Sequence, residues 1–81
     1  EKIEIIDKDE ANSIVIDTSE NTITVTADKD ITIAAPQGTI MLDGQNIEIK
    51  ASADMKVEAG GKVDVTAGAA MKIAGATVDI N

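Results

Sequence analysis

Pairs of large apolar residues recur along the chain at a constant spacing. Each pair has one residue between its members and a small residue two positions further on, as in Ile31-Thr-Ile33-Ala-Ala35. Rows of this kind begin at residues 23, 31, 47, 55, 63 and 71, on a period of eight, whereas the row at 40 starts one residue late and the row at 78 one residue early. Because side chains alternate between the faces of a strand, each row places its two large residues and its small residue on one face. The pattern predicts one short strand in every octad.

The residues between the rows strengthen this prediction. Turn positions carry Asp, Lys, Gly, Asn, Ser and the only proline, Pro36, as turn chemistry prefers. A helix over Gly68–Ala76 is the competing interpretation, but the apolar spacing there is still two and glycine interrupts it, so a strand is favoured. Met41 is an apolar exception among the alternate positions, which we expect to face water and which include Thr24, Thr32, Glu48, Lys56, Asp64 and Lys72.

The first residues follow the rule more loosely. Ile3-Glu-Ile5 and Ile14-Val-Ile16 are predicted to be strands, and the polar stretch Asp7–Ser13 is predicted to be a longer loop between them. We therefore expect residues 1–22 to be a lead-in segment and residues 23–81 to be the regular octad region. Together they would form a single structural unit that is a fragment of a larger protein.

The inward positions of the octads form the predicted structural core. They are Ile23, Val25, Ala27, Ile31, Ile33, Ala35, Ile40, Leu42, Ile47, Ile49, Ala51, Met55, Val57, Ala59, Val63, Val65, Ala67, Met71, Ile73, Gly75, Val78 and Ile80.

Composition shows that one chain cannot enclose much of a core. The 81 residues include no Phe, Trp or Tyr, which are the side chains that bury the largest areas. For a domain of this size, burial and ordering entropy nearly cancel even with a good core. The chain therefore needs partner copies or a self-stacking repeat to be stable.

Charge and missing residue types exclude several functions. The net charge of −8 argues against a nucleic-acid partner, and without Cys there is neither a disulfide nor a thiolate site. Apolar runs are far shorter than the roughly 20 residues that span a bilayer.

Two architectures use one strand of about five residues and one turn of three per side of a triangular prism. A single-chain solenoid stacks the chain on itself every three octads and leaves open edges at both ends. An intertwined triple-stranded β-helix winds three chains about a common axis. The small third residue of each row, such as Ala51, favours the second, because three copies of each inward side chain meet near a three-fold axis. We predict an all-β homotrimer.

At this point the sequence resembles a known family. The octads, and the segments Ala27–Ile40 and Asn46–Gly60 in particular, resemble the C-terminal β-helix of VgrG spike proteins of the type VI secretion system, which is related to the needles of contractile-phage tail spikes. The resemblance covers essentially the whole chain. It differs in that alanine dominates the small position where the family often has glycine.

The resemblance implies a structural spike shaft and not an enzyme. The rod would be assembled in the bacterial cytoplasm, then secreted or injected into the target cell, where it helps to pierce the envelope and deliver effectors. The tube protein would be reached through N-terminal domains outside this sequence. Because the chain has no His, it cannot build a His-x-His iron tip, so the distal end would carry a PAAR-type capping protein or a C-terminal tip or effector. The shaft of a trimeric phage tail fibre or surface adhesin is the alternative.

Chemical functions have weaker support. The acids Asp28 and Asp30, and the cluster Asp7, Asp9 and Glu10, are interpreted as solvated side chains, and the serines have no histidine base. A calcium ion held by the N-terminal acids stays open, although the glycine-aspartate nonapeptide of β-rolls is absent. We predict no catalytic residues, no cofactor and no metal site.

Overall fold

The computed structural model describes residues 1–80, and over that range the chain is all-β. Its strands are β1 (Lys2–Ile6), β2 (Ser13–Asp17) and β3 (Thr22–Thr26), and there is no helix among the described residues. The strands are rich in Ile, Val and Thr, whose branched side chains favour the pleated conformation. The all-β prediction is confirmed, and helix is excluded as the structure of Gly68–Ala76. Residues 1–80 accordingly contain no helix of a length and hydropathy that would span a membrane.

The three strands form one antiparallel sheet in the order β1-β2-β3. In its register Ile3 faces Ile16 and Ile5 faces Ile14, and the pairs continue to Ile23 and Val25 on β3. Side chains alternate across a strand, so these six residues lie on one face of the sheet. The first octad row is therefore the last strand of this sheet.

The loop between β1 and β2 is organised by Asp7 and Asn12. The Asp7 carboxylate accepts hydrogen bonds from the Ala11 backbone N–H at 3.0 Å and from the Asn12 side-chain amide. Asn12 Oδ1 accepts the backbone N–H of Asp28 at 2.9 Å, immediately beyond β3. Glu10 has a positive φ of 58°, which closes the loop. The segment between the strands is Asp7–Asn12, because Ser13, predicted to be in the loop, begins β2. The Asn12 side chain connects this segment to the point where the chain leaves the sheet.

A tighter turn joins β2 to β3. Asp17 Oδ1 accepts the backbone N–H groups of Ser19 at 3.0 Å and Glu20 at 3.3 Å, which is the local bonding by which aspartate favours turns. Asn21 then adopts a positive φ of 56°, a conformation that asparagine tolerates well.

Beyond β3 the backbone bends at regular intervals. Bends or turns lie at residues 28–29, 36–38, 45–46, 52–53, 60–61, 68–69 and 76–77. Their starting positions are eight residues apart, except for one interval of nine that is compensated by the next interval of seven. The irregularity begins at the turn after Pro36, where the Gly38 N–H donates to the Ala35 carbonyl at 3.2 Å. The octad read from the sequence is therefore a period of the backbone itself.

The chain divides into two compact units, Glu1–Gln45 and Asn46–Asn81. The first contains the sheet and the rows beginning at Ile31 and Ile40. The second contains only octad rows with bends between them. The predicted division between residues 22 and 23 rests on the spacing of the apolar rows, which is irregular before it and regular after it. This division stays a prediction.

Candidate assembly site

The apolar pairs of the octads are the candidate functional surface. Among the described residues no hydrophobic side chain is buried, and the large members of the rows are all exposed. Within each row from Ile31 onward the second large residue is the more exposed of the two. Ile31 and Ile33 are 54% and 73% exposed, and Met71 and Ile73 are 48% and 66% exposed. Such regularity indicates that one local environment repeats along the chain.

The backbone of the octad region is equally unpartnered. For residues 27–80 the structure shows one hydrogen bond between backbone groups, from Gly38 to Ala35, and no strand ladder. A backbone polar group removed from water without a partner costs free energy, and free strand edges are templates for pairing. The predicted strand in each octad is therefore not formed as a paired strand within one chain after β3, because a strand needs a neighbour to bond.

The exposed surface area of the single chain is larger than that of a compact monomer of the same mass. It amounts to 8366 Å² for a chain of 8.4 kDa. A compact monomer of this mass exposes about 4,600 Å². The exposed surface includes the apolar row residues and the unpaired backbone, the two kinds of surface that association of chains would cover.

Charged side chains lie on the other side of the rows. Lys56 Nζ is 3.1 Å from Glu58 Oε2, and Lys62 Nζ is 3.9 Å from Asp64 Oδ2. Both pairs span two residues, so their side chains point the same way, as they do in an extended backbone. All four are largely exposed, and such pairs contribute little to stability in water. One face of the segment is thus apolar and the opposite face is charged.

Gly75, predicted as a small inward residue, has a reason to be small within its own chain. A Cβ added there would lie 3.2 Å from the backbone oxygen of Thr77. The following row starts early, at Val78, so only two residues turn the chain instead of three. The shortened turn brings the carbonyl close, and glycine leaves room for it.

The N-terminal acids do not converge on one point. The side-chain amide of Asn12 is the main cause that lowers the pKa of Asp7 from its ordinary value of 3.8; desolvation opposes it, and the backbone N–H groups of Asn12, Ala11 and Glu10 lower the pKa further. Across residues 1–80 no three acidic, cysteine or histidine side chains are grouped closely enough to hold a metal ion. A shallow depression of about 310 Å³ lies beside this loop, lined mainly by Ile5, Ile6, Ile14 and Val25.

The structure brings together only the first two of the predicted core residues. Ile23 and Val25 join Ile16 and Ile14 across the β2–β3 ladder. The apolar face of the sheet also includes Ile3 and Ile5, and none of these four N-terminal isoleucines is in the predicted core. The spacing of two residues between Ile3 and Ile5, and between Ile14 and Ile16, is the same signal as in the octads, and it would have identified them. The other predicted core residues would be buried only in an assembly of chains, and their burial stays a prediction.

The fold and the exposed rows define an all-β repeat domain that presents an unpaired apolar face. A family profile matches residues 6–65, and the chain belongs to that family, DUF2345, described as an uncharacterized protein conserved in bacteria. The comparison with curated proteins gave no match. The comparison with solved structures gave none either.

Proposed function

We propose that this chain forms part of the shaft of a contractile injection machine of the type VI secretion class, as an intertwined homotrimer. Its function in this proposal is mechanical. Three chains enclose the apolar rows, pair their backbones into a continuous β-prism and present the charged face to water. The segment performs no chemistry and needs no cofactor.

The observation that carries the proposal is the eight-residue period of the backbone, with an unpaired apolar row in every repeat after β3. Seven bends at this spacing leave straight segments that are long enough for one side of a triangular prism. Three chains would supply each segment with neighbours on both edges, about 4.8 Å away. They would also bury the surface that makes the single chain so exposed, and obligate interfaces of several thousand Å² are common.

Family membership supports the same conclusion. DUF2345 domains are commonly found in VgrG-type proteins, and the octad segments resemble the β-helix of such spikes. We therefore propose that the protein containing this segment assembles on the secretion apparatus in the bacterial cytoplasm and leaves the cell when the sheath contracts.

Partners follow from the position in a spike. A tube protein would be reached through N-terminal domains, and a PAAR-type protein, or a tip or effector domain, would close the distal end. The acidic surface, with a net charge of −8, keeps a long β-rod soluble and discourages lateral association.

Release of the protein from its bacterium tests this function. The protein that contains the segment is tagged, and its amount in the culture medium is compared between the parent strain and a strain without the contractile sheath subunit. We expect release that depends on the sheath, with an equal amount of the protein inside both kinds of cell. Sheath-independent appearance on the cell surface would overturn the proposal in favour of an adhesin shaft.

A further inference from the structure

The charged residues of the regular octads follow a rule of their own. Within residues 46–80, every two charged residues that lie eight positions apart have opposite signs. Five pairs obey this rule: Glu48 with Lys56, Lys50 with Glu58, Asp54 with Lys62, Lys56 with Asp64, and Asp64 with Lys72. In this part of the sequence no two charges of the same sign stand eight residues apart.

Pairs sixteen residues apart do not share the rule. At sixteen residues the charged pairs are Glu48 with Asp64 and Lys56 with Lys72, and both carry like charges. At twenty-four residues, the distance between stacked rows in a single-chain solenoid with three octads per turn, only Glu48 and Lys72 place charges at both positions. Charged residues two positions apart, such as Lys56 and Glu58, also have opposite signs, but such pairs lie within one stretch of one chain. Of the shifts of eight and sixteen residues that could stack one chain on another, eight sets opposite charges side by side and sixteen sets like charges side by side.

Contacts between neighbouring octads of the same chain cannot explain the opposite charges at a spacing of eight. In a triangular prism each bend carries the chain to the next side, so residues eight apart in one chain lie on different sides. In three intertwined chains, the row directly above a given row belongs to a partner chain and comes from its next octad. Residue i then lies beside residue i+8 of a second copy, about 4.8 Å away, which is within reach of an ion pair.

Four of the side chains that obey the rule already lie in charged pairs on the surface of the single chain. Lys56 and Glu58 point the same way at 3.1 Å, and so do Lys62 and Asp64 at 3.9 Å, with all four exposed. A partner row shifted by one octad would place an opposite charge next to each of the four. Charges in such a network stabilise more than isolated surface pairs do.

We propose that residues 46–80 bind further copies of this chain in parallel, each shifted by eight residues, and that the alternating charges select this register. The inference rests on the proposed trimer and adds what aligns its chains. Apolar rows alone would tolerate a slip of a whole octad, because every row is similar. A slip to sixteen residues would set Glu48 against Asp64 and Lys56 against Lys72, so like charges oppose it.

Disulfide cross-linking reads the register directly, because the sequence has no cysteine of its own. The variant Glu58→Cys/Thr66→Cys places two thiols eight residues apart on the charged face. Neighbouring rows bring their Cα atoms to about 4.8 Å, within the range that a disulfide spans. Under mild oxidation we expect a covalent trimer of about 25 kDa, from three chains of 8.4 kDa, on a non-reducing denaturing gel.

Two matched variants test the alternatives. Glu58→Cys alone would form a covalent dimer only if identical residues were stacked in register. Glu58→Cys/Ala74→Cys would cross-link only with a shift of sixteen, because in the proposed register its thiols stand two rows, or about 9.6 Å, apart, beyond the reach of a disulfide. Cross-linking by either control, or a trimer in which Glu58→Cys/Thr66→Cys stays uncross-linked, would overturn the register.

A charge variant provides a second measurement that does not depend on cysteine. Lys72 lies eight residues after Asp64. The residues two positions before and after Lys72 are Ala70 and Ala74, so Lys72 has no charged neighbour at that spacing in its own chain. Lys72→Glu should lower the melting temperature of the assembly more than Ala74→Glu, whose neighbour eight residues back is the neutral Thr66. The difference should be clear at about 10 mM salt and vanish near 1 M, where screening is nearly complete. Equal shifts at low salt would contradict the role of the charges.

Failure of the inference and failure of the proposed trimer are distinguishable. A mass of 8.4 kDa for the unaltered chain removes the trimer, and the register with it. A trimeric mass with the wrong cross-links removes only the register. If the cysteine variant alone fails to assemble, the comparison of Lys72→Glu with Ala74→Glu decides.

Discussion

Val65→Lys is the substitution that should separate assembled from unassembled chains most sharply. Val65 is the second large residue of its row and is 69% exposed in the single chain. In the proposed trimer its three copies are buried, each stabilising the assembly by roughly 1.5–3 kcal/mol. Losing three such contributions removes about 5–9 kcal/mol, comparable to the whole stability of a typical domain. Three unpaired ammonium groups in the interior add several kcal/mol each to the cost.

The assay is light scattering coupled to size exclusion, with circular dichroism on the same samples. We expect Val65→Lys to run as an unassembled chain with little β-structure. The matched control is Thr66→Lys, one residue further along the same row and on the charged face, which should keep the mass and melting behaviour of the unaltered chain. If Val65→Lys assembled as well as Thr66→Lys did, the assignment of inward and outward faces would be refuted.

Three further predictions concern the loop and the repeat. Asn12→Ala should speed amide exchange at Asp28, because it removes the acceptor that holds this N–H at 2.9 Å, and NMR measures the rate. The lowered pKa of Asp7 means that its carboxylate stabilises the β1–β2 loop fully above about pH 3.8 and loses this effect as the pH falls through the lower folded value, so exchange at Ala11 should accelerate there. Deleting residues 55–62 should remove one row and shorten the trimer by about 4.8 Å in solution scattering without unfolding it.

Each of these predictions has a matched control. Asp9→Ala, in the same loop as Asn12, should leave exchange at Asp28 unchanged, and an equal effect would contradict the role given to Asn12. In Asp7→Asn the acid-induced change at Ala11 should be absent; its persistence would assign the change to another group. Deleting only residues 55–58 removes half a repeat and shifts all later rows by four residues relative to the earlier ones, so it should abolish assembly. If both deletions behaved alike, the octad would not be the structural unit.

The sequence predicted the first three strands and the period of the bends well, because both follow from local rules. Alternating residues such as Ile14 and Ile16 need only a pleated backbone to share a face, and Asp and Asn at the turns favour bending wherever they stand. The eight-residue spacing of the bends needed no tertiary information. Pairing is different, since a ladder depends on which strand lies alongside. β1, β2 and β3 found partners within the chain, while the described rows after β3 have none there.

Some features of the candidate site could not be read from the sequence. The hydrogen bond from the Asp28 backbone N–H to the Asn12 side chain joins residues sixteen positions apart, and neither residue type indicates which residue it will bond to. The closeness of Gly75 to the Thr77 carbonyl depends on the path of a shortened turn, whereas the sequence pointed only to a small residue near an axis. Both depend on where the backbone travels in space and not on the local pattern.

The mass of the unaltered chain in solution tests the central claim most directly. Light scattering on the 81-residue chain, over a range of concentrations, should give about 25 kDa, three times the 8.4 kDa of one chain, together with a β-rich circular dichroism spectrum. A folded, stable monomer of 8.4 kDa would contradict the account, because one chain would then have satisfied its own strand edges and covered its own apolar rows.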